Sequence, residues 1–348
     1  MNKIQWNEEL LDEMLSEPGD GTVSALSALE GDIMILGAGG KVGPTLSVML
    51  EKASGRCGKP RNIYAVSRFT DPYARALLEK QNVRCISCDL TDEKQLSALP
   101  KAPNIIFMAG RKFGTAQNAA ETWKMNVDVP GMVTRHFGNA RYTVFSTGNV
   151  YPFSSRSSEG WRGTAGCTET VSPEPVGEYG MTCLGRERMF EYAARHYGAK
   201  VLIFRLNYAV DLRYGVLFDL AKPIMEGRPV SLNVPAFNCV WQRYVNECAI
   251  RSLTLASEDV TYLNITGRET LTVRETAVKL AMVLGKPVSF TGEEKDTALL
   301  SCAEQCFQHF GYPDKTADEL ITMQAQWILS GGRQLDKPTH FEENKGKF

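Results

Sequence analysis

From Asp32 to Asn207, short apolar runs alternate with amphipathic stretches of helical length, and this alternation constrains the fold more than any other feature. Strands are predicted at residues 33–36, 62–66, 83–88, 104–108, 142–146 and 201–206. Helices are predicted between them at 43–53, 71–81, 91–98, 121–137 and 179–197. Strands apolar on both faces need cover on both faces, and helical crossovers return the chain parallel. The predicted class is α/β: a doubly wound, Rossmann-like parallel sheet with a smaller C-terminal region. Beyond Asn207 a loop-rich stretch runs to Gln242, followed by helices predicted at 246–256, 272–284 and 316–329 and a strand at 260–265. The predicted division is a helical extension over 1–30, the sheet domain over 31–207, the C-terminal region over 208–330 and a polar, poorly ordered tail over 331–348. In the extension, Asn7 has the place of an N-cap before Glu8 and Glu9, and Leu10, Leu11, Met14 and Leu15 form an apolar stripe that stops at Pro18-Gly19. A second short helix reads from Thr22 to Leu29; either helix would suit the main body or a neighbouring subunit.

Charge and cysteine content exclude several classes. The 39 Lys and Arg against 40 Asp and Glu leave no basic surplus for a phosphate backbone, which disfavours a nucleic-acid partner. No apolar run reaches the ~18–20 residues of a membrane span, and the acidic N-terminus lacks a signal-peptide layout. Nine scattered cysteines suit reduced thiols, so a cytoplasmic protein is expected. Cys85-Ile-Ser-Cys88 has no second pair to complete a tetrahedral metal site, the four histidines are far apart in sequence, and no G-x-S-x-G elbow is present.

The first strand runs into Gly37-Ala38-Gly39-Gly40-Lys41-Val42-Gly43, at the start of a helix. Gly37 permits a tight turn, Gly39 or Gly40 lets a pyrophosphate approach the backbone, and Gly43 lets the helix pack closely on the strand. The helix N-terminus then offers N–H groups to phosphate. This is the form of a dinucleotide site. The second strand ends in Ser67-Arg68 where an NAD-specific site usually carries an acid for the ribose 2′-hydroxyl. A hydroxyl and a cation, with Lys41 as a second charge, suit the 2′-phosphate of NADP; NADP is favoured over NAD, against the plainer reading of a solvated arginine.

With these residues in place, the chain resembles the extended (atypical) short-chain dehydrogenase/reductase superfamily, and within it the NAD-dependent epimerase/dehydratase family, from about Asp32 to Trp327. Cys88-Asp89-Leu90 resembles the third-strand Asp-Leu that meets adenine. Met108-Ala109-Gly110 is similar to the small-residue turn beside the cofactor, and Met125-Asn126-Val127 to the Asn-Val on the helix beneath it. Phe145-Ser146-Thr147-Gly148-Asn149-Val150-Tyr151 resembles the strand end that carries the catalytic Ser/Thr, here Thr147. Phe204-Arg205-Leu206-Asn207 is similar to the strand leading to the nicotinamide, and Tyr244-Val245-Asn246-Glu247-Cys248-Ala249 to the later Val-Asp-Asp-Val-Ala segment. The resemblance also implies a homodimer built on the helices at 121–137 and 179–197.

The family's Tyr-x-x-x-Lys motif is altered. Tyr179 matches the tyrosine, but Cys183 stands at the lysine position. The family lysine lowers the tyrosine pKa and anchors the nicotinamide ribose from the same helix face, and a thiol carries no charge with which to do either. Arg186 returns to within about 20° of Tyr179 around the helix and leans back toward it, so its guanidinium is a candidate substitute; alternatively it pairs with Glu178 or a loop carbonyl.

Candidate substrate residues follow the strand ends: Arg111 and Phe113, Asn149 and Tyr151, Tyr208, Asp211 and Arg213, and Trp241 and Arg243. Together they would suit the hydroxyls and carboxylate of a sugar or sugar acid, although each singly reads as loop polarity or core. Two functions are consistent with the sequence. One is an NAD(P)-dependent oxidoreductase or epimerase for a carbohydrate-like substrate, with Tyr179 as acid/base and Thr147 bonding the same oxygen. The other is a dinucleotide-binding sensor or scaffold without turnover.

Overall fold

The computed structural model describes residues 5–115, 117–335 and 339–343. Seven strands form one parallel sheet: β1 (Ile33–Leu36), β2 (Ile63–Ser67), β3 (Arg84–Ser87), β4 (Asn104–Phe107), β5 (Arg141–Thr147), β6 (Lys200–Leu206) and β7 (Thr261–Ile265). Their order is β7-β6-β5-β4-β1-β2-β3. The chain winds outward from β1 to β3, then crosses to β4 and winds the other way. The carboxyl ends of β1 and β4 therefore flank the switch point, where open α/β sheets bind ligands. β1 and β4 are buried at every position, as their uninterrupted apolar runs require.

The helix predicted over 121–137 is three pieces: Ala119–Trp123, a π-turn over Lys124–Asp128, and Val129–Phe137. The extra residue of the π-turn re-aims Asn126 into the interior, a device that a 3.6-residue period does not register. The helix bearing the Tyr-x-x-x-Cys motif spans Gly177–Tyr197 and packs on both β5 and β6.

The N-terminal helices, Glu8–Ser16 and Asp20–Ser27, lie against the body of the same chain. Asn7 caps the first through a 2.8 Å bond from Leu10 N–H. Leu11 and Leu15 enter the apolar core of the C-terminal region, and Trp6 meets Trp327 edge-on at 6.2 Å. The other end of the chain also returns to the body. Leu335 N–H donates to Arg213 O, and Phe341 is buried against Phe237. Among the described residues no helix is long and apolar enough to cross a membrane.

Candidate active site at the switch point

The glycine turn is shaped by contacts that side chains would violate. Gly37 has φ +96°, and a Cβ there would lie 2.6 Å from Ala109 N, on the turn after β4. A Cβ on Gly39 would sit 2.5 Å from Ser67 Oγ, and one on Gly43 2.3 Å from Ala38 O. Gly40 is less constrained, its Cβ meeting only Gly37 O at 3.4 Å. Of the two glycines that the spacing left open, Gly39 is thus the more closely packed. Val42 precedes the Gly43–Cys57 helix with no side-chain cap, which leaves its first N–H groups for another acceptor.

At the end of β2, Ser67 Oγ lies beneath Gly39 and accepts from Phe69 N–H, while the Arg68 side chain is 68% exposed with its guanidinium 3.9 Å from Asp89. Thr91 donates both its N–H and its hydroxyl to Asp89, and these bonds hold its carboxyl below the usual range. Leu90 is buried beside it. Lys41 does not extend the Arg68 cluster. Its ammonium lies 4.4 Å from the centre of the Tyr214 ring and 5.5 Å from that of Phe113, and its charge is felt by Lys112 and Asp219. The reason is steric and electrostatic: two aromatic faces and a buried carboxylate lie on that side.

Across the switch point, Asn126 is fully buried and saturated. Its oxygen accepts from Arg111 N–H (2.8 Å) and Arg186 Nη2 (2.9 Å), and its amide donates to Arg111 O and Thr182 Oγ1. Arg186 Nη1 donates to Phe145 O at 2.8 Å, so the guanidinium forms a floor directly beneath Gly110, where a Cβ would meet Nη2 at 2.4 Å. The side chain is turned inward, 5% exposed, and the suggested pairing with Glu178 is not made, since Glu178 accepts from Trp123 Nε1. Arg186 is therefore placed to act on Tyr179, although its two Nη groups are already spent on neutral acceptors.

Tyr179, Thr147 and Cys183 form a connected group. Thr147 and Cys183 are side-chain neighbours of the Tyr179 phenol, and both act on its pKa. Thr147 in turn accepts from the Asn149 N–H (3.2 Å) and side-chain amide (3.0 Å). Burial drives the Tyr179 phenol far above its ordinary pKa, and the Arg186 charge works against that rise. Cys183 is fully buried, and its thiol is likewise pushed up by desolvation. Lys112, on the loop after β4, lays its ammonium 5.7 Å from the Tyr179 ring centre, 5.8 Å from Phe113 and 5.9 Å from Tyr208. Burial, with Lys41 nearby, pushes its pKa down to about 8. The sequence places Lys112 in the Arg111-Lys112-Phe113-Gly114 segment after the fourth strand, at the ligand-binding end of the sheet, without singling it out from its neighbours.

Several candidate substrate residues are committed elsewhere. Tyr151 is buried, donating to Asn264 and accepting from Arg205, whose guanidinium grips the fully buried Glu187. Arg213 pairs with Asp211 and with Asp12 of the N-terminal helix. Trp241 is core. Arg243 bonds Glu17 O, Glu247 and Asp314, and so clamps the N-terminal extension. Buried guanidiniums need carboxylates, and these found them inside the fold. Arg111 is held by Asn126 and by Phe113 O, while Asn149, Tyr208 and Phe113 do border the cleft. Tyr208 carries a strained positive φ of 45° at the end of β6. Beside it, Asn207 is buried with an unpartnered side-chain N–H.

The described end of the chain lies across this cleft. Thr339 donates its N–H (2.7 Å) and hydroxyl (2.5 Å) to Asp219 of the Val216–Met225 helix, and His340 packs on Phe113 at 5.3 Å. A small cavity of about 20 Å³, enough for one water, lies between Asn149, Phe153, Tyr208, Phe341 and Glu343.

A seven-stranded doubly wound sheet, with a glycine turn at its switch point and a Tyr–Thr pair beside it, defines the extended short-chain dehydrogenase/reductase class. The model of the NAD dependent epimerase/dehydratase family matches residues 33–229, and the chain belongs to that family. No curated protein matches it in sequence. In structure it is similar to MoeE5 in complex with UDP-glucose and NAD (18% identity, 86% of this chain and 99% of that one, TM-score 0.69). It is also similar to UDP-glucuronic acid 4-epimerase from Bacillus cereus in complex with UDP-glucuronic acid and NAD (16%, 86% and 99%, 0.69). A third is UDP-glucose 4-epimerase from Thermus thermophilus in complex with NAD (17%, 84% and 97%, 0.68). At these identities the likeness is one of fold.

Proposed function

We propose that the chain is an NAD(P)-dependent epimerase or oxidoreductase acting on a sugar, a sugar acid or a nucleotide-linked sugar. The observation that carries this reading is the Tyr179 phenol set beside Thr147 at the carboxyl end of β5, the strand next to β4 at the switch point. The residues present fit a dinucleotide: Gly37, Gly39, Gly43 and Gly110 let the turn, the helix and the strand ends close on one another where a Cβ would collide, and Asn207 keeps a buried N–H unpartnered. Gly37–Gly43 would hold the pyrophosphate, Asp89 and Leu90 the adenine side, and Ala109 and Gly110 the middle of the cofactor.

When bound, the nicotinamide supplies hydride exchange with the substrate carbon. Tyr179 takes the proton of the reacting hydroxyl and returns it in the reverse step, while Thr147 holds the same oxygen by a hydrogen bond. Arg186 favours the charged form of the phenol from below. The exposed Arg68 and the Ser67 hydroxyl supply a cation and a donor for a 2′-phosphate, so NADP is the preferred cofactor, with NAD the alternative. The outer helix faces expose Trp123, Met181 and Tyr192, the surface on which a homodimer would form.

The test is calorimetry with NAD+ and NADP+, followed by turnover with UDP-glucose, UDP-glucuronic acid and free sugar acids. In an active pair, Tyr179→Phe lowers kcat by roughly 10²–10⁴-fold without loss of cofactor binding. The uncharged residue at 183 supports the second reading, a sensor without turnover. Cofactor binding with no turnover across the panel, and a tail that stays docked, would favour it.

A further inference from the structure

The family pattern brings a lysine to the tyrosine from four residues along the same helix, and here that position holds a buried thiol. A cation nevertheless reaches the tyrosine from another element. Lys112 leaves the loop that follows β4, and its ammonium stands 5.7 Å from the Tyr179 ring centre. The Phe113 and Tyr208 rings enclose it at similar distances, and its charge is felt at Cys183. Arg186 cannot be the mobile partner, because its Nη groups are fixed by Phe145 O and Asn126.

We propose that Lys112 is a positioning residue for Tyr179, supplying from the β4 loop the positive charge that Cys183 does not supply from the helix. This deepens the enzyme reading above and rests on it for its catalytic consequence. The placement explains how the lysine position could become a thiol. Two ammonium groups beside one phenol would repel, whereas a neutral thiol leaves the charge to Lys112. The groups that act on Lys112 include Lys41, Cys183 and Asp219, and three aromatic rings border it. Burial first, and then the Lys41 charge, lower the pKa of the ammonium to about 8. A charge so poised is lost within the range where such enzymes are assayed, which an arginine or a solvated lysine would not do.

Two measurements test this. In the cofactor-free full chain, competitive acetylation followed by mass spectrometry reads the protonation midpoint of Lys112. A midpoint near 8 is expected, moving lower in Cys183→Lys as a second cation enters; a midpoint near the ordinary 10.5 overturns the placement. In the NAD+-loaded protein, the rate at which cyanoborohydride reduces the bound cofactor reports positive charge beside the nicotinamide. The wild-type rate is expected to fall as pH rises through about 8. Lys112→Met should slow it roughly 10–100-fold at neutral pH and abolish that step, while Lys112→Arg keeps the rate but loses the step. Lys112→Met combined with Cys183→Lys should restore much of it. An unchanged rate and pH profile in Lys112→Met, with cofactor affinity intact, overturns the role. Failure of the wild-type protein to bind NAD+ or NADP+ would instead sink the enzyme reading, and the acetylation result would still decide whether Lys112 stands against Tyr179.

Discussion

Arg186→Met separates a residue kept for chemistry from one kept for stability. The guanidinium is buried, its bonds go to two neutral acceptors, and among the described residues no carboxylate pairs with it. Losing two charge-assisted bonds costs about 1.5–3 kcal/mol each. The loss at Asn126 is partial, because its oxygen keeps the Arg111 N–H at 2.8 Å. Against this, removing a buried cation that lacks a carboxylate recovers a desolvation penalty of several kcal/mol, and methionine refills most of the volume. The two contributions nearly cancel, so the net change should lie within about 2 kcal/mol of zero. Glu187→Gln sets the scale for the opposite case. It leaves Arg205 buried with its doubly bonded carboxylate gone and should cost about 3–5 kcal/mol. Guanidinium chloride unfolding of both variants is the assay, with the slope checked for two-state behaviour. In any turnover assay, Arg186→Met should also move the basic limb of the pH–rate profile upward, because the phenol loses the charge that lowers its pKa. If Arg186→Met unfolds as easily as Glu187→Gln, the arginine is a structural pillar and its assignment to Tyr179 is wrong.

Gly39→Val should abolish dinucleotide binding while leaving the circular dichroism spectrum native, because its Cβ meets the movable Ser67 hydroxyl rather than backbone. Arg68→Ala should weaken NADP+ binding by about 1.5–3 kcal/mol and leave NAD+ nearly unchanged; equal losses for both would end the 2′-phosphate assignment. Asp219 has its pKa raised by burial, so its share of stability is full below the unfolded carboxyl value and is lost as pH rises through the folded one. Asp219→Asn should therefore gain stability relative to wild type as pH rises above the ordinary carboxyl range, read from unfolding midpoints. In the same variant the Thr339–Glu343 amides should exchange faster with solvent, since the carboxylate that Thr339 bonds has lost its charge.

The sheet was legible because its determinants are local: β1 matches its predicted span, and β2 to β7 shift only at their ends. The glycine turn, Tyr179, Thr147 and Asn126 were legible because each is tied to a fixed place in a strand–helix unit. The fates of Arg213, Arg243 and Tyr151 were not, since their partners Asp12, Glu17 and Asn264 lie between 113 and 226 residues away. A polar side chain in a loop reads the same whether it faces a cleft or a buried carboxylate. Lys112 was not singled out for a related reason: the motif directs attention to one helix, and this second cation comes from a loop across the switch point.

The central claim is that the switch-point crevice holds a nicotinamide dinucleotide against Tyr179. The most direct test is a crystal structure of the full chain grown with NAD+ or NADP+. The account predicts the pyrophosphate on the backbone of Gly37–Gly43 and the nicotinamide beside Tyr179, Thr147 and Cys183. A dinucleotide bound elsewhere, or this crevice closed at saturating cofactor, would contradict it.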